Sequence, residues 1–161
     1  MNFKKILKEN FSFIALLLTI FFLDRYTKIT AINILESKKN IYINDYLNLD
    51  LVFNTGIGFG LLSFNENLYY NLVTILIIIV IIILGFFTFK SKKREKLFFT
   101  FILGGAIGNV YDRITYKAVP DFIDLHIGNF HWFSFNIADI FITLGIIFMI
   151  LTEFTAKEKK W

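Results

Sequence analysis

Five aspartates stand out in this chain: Asp24, Asp112, Asp121, Asp124 and Asp139. Asp24, Asp112 and Asp139 lie near the ends of apolar runs, with Asp121 nine residues beyond Asp112, and a charged side chain at a helix centre in lipid costs about 2.5–3.5 kcal/mol on insertion scales. Carboxylates kept at that cost are functional candidates. In "FNIADIF", Asn136 and Asp139 are three residues apart, so on a helix they share one face. "DRYTK" sets Asp24 and Lys28 at i,i+4, in the order that pairs on a helix. "GGAIGNVYDR" brings Asn109, Asp112 and Arg113 to the end of an apolar run, with Asp112 and Arg113 an expected interfacial ion pair. "VPDFID" carries Asp121 and Asp124 in a loop or short amphipathic element. Two carboxylates close together cannot both ionise freely: one stays protonated while the other serves as a base toward water. The residues alone leave the pair open among the five.

Other chemistries find less support. The chain has no cysteine, which excludes thiolate catalysis and disulfides. His126 and His131 lack a second ligand at a helical spacing such as HExxH, so no metal and no cofactor are expected. The serines of "FSF" and "LSF" have neither a Gly-x-Ser-x-Gly context nor a Lys base within helical reach. "NTGIGFG" spaces Gly56, Gly58 and Gly60 alternately, but no Lys or helix start follows as a phosphate loop requires. Those glycines read as a strand edge that another backbone can approach.

The elements that must position these groups are membrane spans. Of 161 residues 56% are hydrophobic, too many for a soluble domain of this size, and the mean hydropathy is +0.61. Crossing a bilayer core takes about 20 apolar residues. Four spans are expected, at about 11–33, 68–89, 97–112 and 136–155, the first continuing through Asp24 and Lys28. No small-residue cleavage pattern follows its apolar part, so it reads as a retained helix. Of the 17 Lys and Arg, 11 fall in three clusters, Lys4–Lys8, Lys90–Lys96 and Lys157–Lys160. Even connectivity puts all three on one side, which the positive-inside rule makes the cytoplasm. The net charge of +4 thus reflects orientation, with no nucleic-acid partner expected. Segments 34–67 and 113–135 then face outward. In the first, "YLNLDLVFN" alternates as a half-buried strand does, and "IYI" at 41–43 is its plausible partner. Within the second span the run "LVTILIIIVIIILGFF" has no polar residue beyond Thr74, which argues against an ion path.

"DRYTK", "NTGIGFG", "GGAIGNVYDR", "VPDFID" and "FNIAD", in this order on a four-span chain, closely resemble the blocks of the signal peptidase II family. These are membrane aspartyl peptidases that remove the signal peptide from lipid-modified prolipoproteins. The resemblance covers nearly the whole chain, and the blocks are specific in combination. It implies a single all-α membrane domain over residues 1–161, with four transmembrane helices, a small extracytoplasmic β-element and a short extracytoplasmic helical loop. It implies catalytic roles for Asp121 and Asp139. It implies support of substrate and dyad by Asp24, Lys28, Asn54, Gly56, Asn109, Asp112, Arg113, Asn136 and Ala138. It further implies a monomer in the bacterial inner membrane among membrane lipids, both termini cytoplasmic, with diacylglyceryl-modified prolipoproteins as substrates and the site near the outer leaflet. Two departures stand out: Phe53 precedes Asn54 where the family usually has Arg, with Gly58 in place of a common Ala, and Pro120 precedes Asp121 where an apolar residue is favoured.

Overall fold

The computed structural model describes the backbone of residues 3–56 and 67–158, and the side chains of 9–56 and 68–155. The described elements are four helices and four strands: α1 (Phe3–Lys38), β1 (Asn40–Asn44), β2 (Leu47–Asn54), α2 (Asn67–Lys90), α3 (Lys93–Tyr116), β3 (Val119–Ile127), β4 (Phe130–Phe135) and α4 (Ile137–Glu158). Gly58 and Gly60 of the glycine-rich motif lie outside the described residues. Helix α3 touches α1, α2 and α4, and the sheet sits against α1 and the end of α3.

Two helices, over Leu68–Lys90 and Ile137–Thr155, are apolar enough along their length to cross a membrane. Around α2 the side chains of Ile75, Leu76, Ile79, Ile82, Ile83, Phe86 and Phe87 are exposed, a surface suited to lipid. Helices α1 and α3 have 36 and 24 residues, so at about 1.5 Å per residue each exceeds a bilayer core of about 30 Å. Their charged groups turn toward each other: Asp24, Lys28 and Asp112 have no exposed surface. Close packing depends on small residues. A Cβ at Gly104 would meet Ile20 at 2.9 Å, and one at Gly108 would lie 2.5 Å from Asp24 Oδ2.

The strands form one antiparallel sheet in the order β1-β2-β3-β4. The pairing of "IYI" with the alternating strand is as expected, Ile41 opposite Leu49. Segment 113–135 corrects the expectation of a helical loop. Beyond the end of α3 at Tyr116 it is the β3–β4 hairpin, which doubles the β-element to four strands. The physical reason is local. Val119, Phe122 and Ile123 and the aromatic run from Phe130 favour strands, while Gly128 takes φ +58° in the turn before Asn129. Pro120 is tolerated because described β4 pairing begins only at Ile123 opposite Phe135, leaving one side of β3 free at Pro120. Ala31, Leu35 and Phe122 form the buried cluster that seats the sheet on α1, with Leu49, Leu51, Ile123 and Ile137 packed around it.

Candidate active site

Helix α4 begins with a reciprocal cap. Asp139 N donates to Asn136 Oδ1 and Asn136 N donates to Asp139 Oδ2, both at 3.1 Å. This is the capping-box arrangement with Asp in the place of the usual Glu. The next free helix donor, Ala138 N, donates to Asp24 Oδ1 of α1 at 3.0 Å, so an α1 carboxylate completes the α4 terminus. Ala138 is fully buried, and its small side chain lets the two helices meet there.

The same cap reaches the hairpin. Asn136 Nδ2 donates to Asp121 Oδ1 at 2.6 Å, and Asn54 Nδ2 of β2 donates to Asp121 Oδ2 at 2.9 Å. Asn109 Nδ2 of α3 donates to Asp139 Oδ1 at 2.8 Å. Every oxygen of the two carboxylates therefore accepts a hydrogen bond from an asparagine. The amide orientations are forced, because each asparagine oxygen has its own donor: Gly56 N for Asn54, Asp139 N for Asn136 and Lys28 Nζ for Asn109. Asn136 thus binds the two aspartates to each other, a closer role than the shared helical face implied.

Behind this layer lies a buried ionic one. Lys28 Nζ donates to Asp24 Oδ2, Asn109 Oδ1 and Asp112 Oδ2 at 2.9, 2.8 and 2.7 Å, which uses its three protons. Asp112 Oδ1 pairs with Arg25 Nη1 at 2.5 Å, and the Arg25 guanidinium lies 5.0 Å from the Tyr111 ring centre. The expected Asp112–Arg113 pair is not what forms. Asp112 turns to α1, while Arg113 Nη2 donates to Gly56 O at 2.8 Å and holds the end of β2. Arg25 is a member that sequence reasoning missed. The signal was present in "DRYTK", where it is a second cation in an apolar run.

Asp121 is buried, and burial first, then the charge of Asp139, pushes its carboxyl up to about 7. Asp124, the fifth aspartate, stands apart: its Oδ2 is 2.7 Å from His131 Nδ1 on β4.

Fold and site together define a helical membrane protein with two buried, asparagine-held carboxylates at the junction of a helix terminus and an antiparallel sheet. The chain belongs to the signal peptidase II family: the family model described as "Signal peptidase (SPase) II" matches residues 16–155. It is similar to proteins named "Lipoprotein signal peptidase", from Pelagibacter ubique (47% identical, covering 96% of this chain and 94% of that one) and from Francisella tularensis subsp. novicida (37%, covering 96% and 98%). Two solved structures described as bacterial membrane enzymes are similar in fold. One has a TM-score of 0.76 at 27% identity, covering 93% of this chain and 92% of the other; the second has 0.68 at 29%, covering 88% and 91%. The chain is accordingly a peptidase.

Proposed function

We propose that Asp121 and Asp139 are the catalytic pair of a peptidase that cleaves diacylglyceryl-modified prolipoproteins just before the lipidated cysteine. The observation that carries this reading is the grip on the two carboxylates by Asn54, Asn109 and Asn136, together with the raised proton affinity of Asp121. In the proposed mechanism Asp121 carries the shared proton and Asp139 is ionised. Asp139 lies in the first turn of α4, where the helix dipole favours negative charge. The ionised carboxylate takes a proton from water, which attacks the scissile carbonyl, while the protonated partner hydrogen-bonds the carbonyl oxygen and then protonates the leaving amine. Because the asparagines are held from behind, the carboxylates need little reorganisation as charge moves. Lys28, Asp24, Asp112 and Arg25 act through Asn109 and the α4 terminus as positioning residues. Arg113 and Gly56 set the end of β2.

The proposed setting is a monomer of four spans in the bacterial inner membrane, with both termini cytoplasmic and the sheet at the outer leaflet. It is supported by the three basic clusters of the sequence, which even connectivity assigns to one side, and by the strands, which fall in the two segments assigned to the other. Acyl chains left in the leaflet retain the substrate at about 0.8 kcal/mol per buried methylene, so peptide contacts can be weak and tolerant of sequence. The test is initial rates for a diacylglyceryl-modified precursor and its unlipidated form, side by side in proteoliposomes. Efficient cleavage of the first alone is expected, and equal rates would remove lipid recognition from the account.

A further inference from the structure

The β3–β4 hairpin gathers three potential metal ligands that the hydrolytic chemistry does not use. Asp124 and His126 lie on β3 and His131 on β4, with His126 directly opposite His131 and a register shift between Leu125 and His126. Such a shift re-aims side chains along a strand. One ligand atom from each of the three lies within 4.8 Å of the others. We propose that Asp124, His126 and His131 form a binding site for a divalent transition-metal ion of the zinc class, separate from the aspartate pair.

The donor set fits the ion. Two imidazoles and one carboxylate are ligands that zinc takes readily, and three protein ligands leave one position for water. His126 supplies the independent indication. The residue is only 7% exposed, yet its Nδ1 is buried without a hydrogen-bond partner and lies 3.6 Å from Asp124 Oδ2. A buried polar nitrogen left unpaired is costly, and a metal would use its lone pair. Asp124 Oδ2 is meanwhile 2.7 Å from His131 Nδ1, and the two imidazoles stack with ring centres 5.3 Å apart.

Ligand atoms about 2.0–2.1 Å from a tetrahedral ion are about 3.4 Å from one another. The two distances to Asp124 Oδ2, 2.7 and 3.6 Å, fall on either side of that value. The remaining closure falls to His131, whose side chain is 54% exposed. Asp121 is three residues upstream on the same strand, about 10 Å along it, so the ion would take no part in hydrolysis. Its effect would be to clamp the hairpin that carries Asp121. The spacing rules for helical metal motifs miss this site because its ligands meet across strands.

The experiment is zinc titration of the tag-free full-length protein in detergent, by competition with a chromophoric chelator, alongside thermal unfolding with and without zinc. Wild type and Asp121→Asn are expected to bind one ion per chain and to unfold at higher temperature with zinc. His126→Gln and His131→Gln are each expected to weaken binding by more than about tenfold, the loss caused even by groups that merely support metal ligands, and to abolish the thermal shift. The half-exposed His131 can be replaced without disturbing the core. Absence of stoichiometric binding by wild type would overturn the proposal, as would binding that survives either histidine substitution.

Discussion

Lys28 Nζ lies 2.8 Å from Asn109 Oδ1, and that bond decides which end of the Asn109 amide faces Asp139. The same ammonium pairs with Asp24 and Asp112, neither of which has exposed surface. Replacing Lys28 by Met would leave buried carboxylates short of a partner, a change that costs about 3–5 kcal/mol. Urea or thermal unfolding in detergent should register that loss, and cleavage should fall with it because Asn109 is freed to turn. A Lys28→Met protein of wild-type stability and activity would show that the ionic layer positions nothing.

Gly108 and Gly85 make a matched pair. A Cβ on Gly108 would lie 2.5 Å from an Asp24 oxygen that Lys28 already holds, whereas one on Gly85 has nothing within 4 Å. Gly108→Ala should therefore cost about 1–3 kcal/mol through overpacking and reduce cleavage. Gly85→Ala should be neutral or slightly stabilising, by up to about 1 kcal/mol, from helix propensity. Thermal unfolding of the two variants against wild type separates these outcomes, and equal effects would contradict the packing described for α1 and α3.

The raised proton affinity of Asp121 sets a pH dependence. Between about pH 4, where an unfolded aspartate titrates, and the folded value of about 7, the folded protein holds a proton that the unfolded chain has released. The associated stability is fully present below that window and is lost as pH rises through about 7. Melting curves from pH 5 to 8.5 should show a downward slope that Asp121→Asn removes. Cleavage by wild type should decline over the same alkaline limb as the shared proton is lost. A pH-independent difference between wild type and Asp121→Asn would contradict this assignment of the proton.

Orientation is open to direct labelling, because the chain has no cysteine of its own. A cysteine at Ser91, between α2 and α3, should react only from the cytoplasmic side, and one at Asn44, at the end of β1, only from outside. Labelling of both from one side would undo the four-span topology.

Relations within single elements were legible in the sequence. The Asp24–Lys28 pair follows from helical spacing, and the alternation of β2 announced a strand; Asn136 and Asp139 are neighbours as their spacing suggested, but Asn136 caps α4 and is not on its face. What stayed hidden was made by contacts between elements. No spacing rule connects Asp121 with Asn136, which meet because β3 runs beside the start of α4 and Asn136 caps that helix. Arg25 was overlooked because its partner Asp112 lies on another helix, although Arg25 also reaches its own neighbour Asp24. The hairpin at 119–135 had its own signal in "IGNF", a glycine-asparagine turn between strand-forming runs, which the expectation of a helical loop passed over. The resemblance to the family supplied the choice of Asp121 and Asp139 that the residues alone left open.

The most direct measurement is the cleavage rate of a diacylglyceryl-modified precursor by purified Asp121→Asn and Asp139→Asn proteins, each checked for folding by thermal unfolding. Both substitutions keep the side-chain shape and disturb about one hydrogen bond, a stability change of roughly 0.5–1.5 kcal/mol, while removing the exchangeable proton or the base. The account predicts folded proteins whose rates fall by at least about 100-fold, the lower end of what positioned acid–base groups contribute. Near-normal turnover by either folded variant would contradict it.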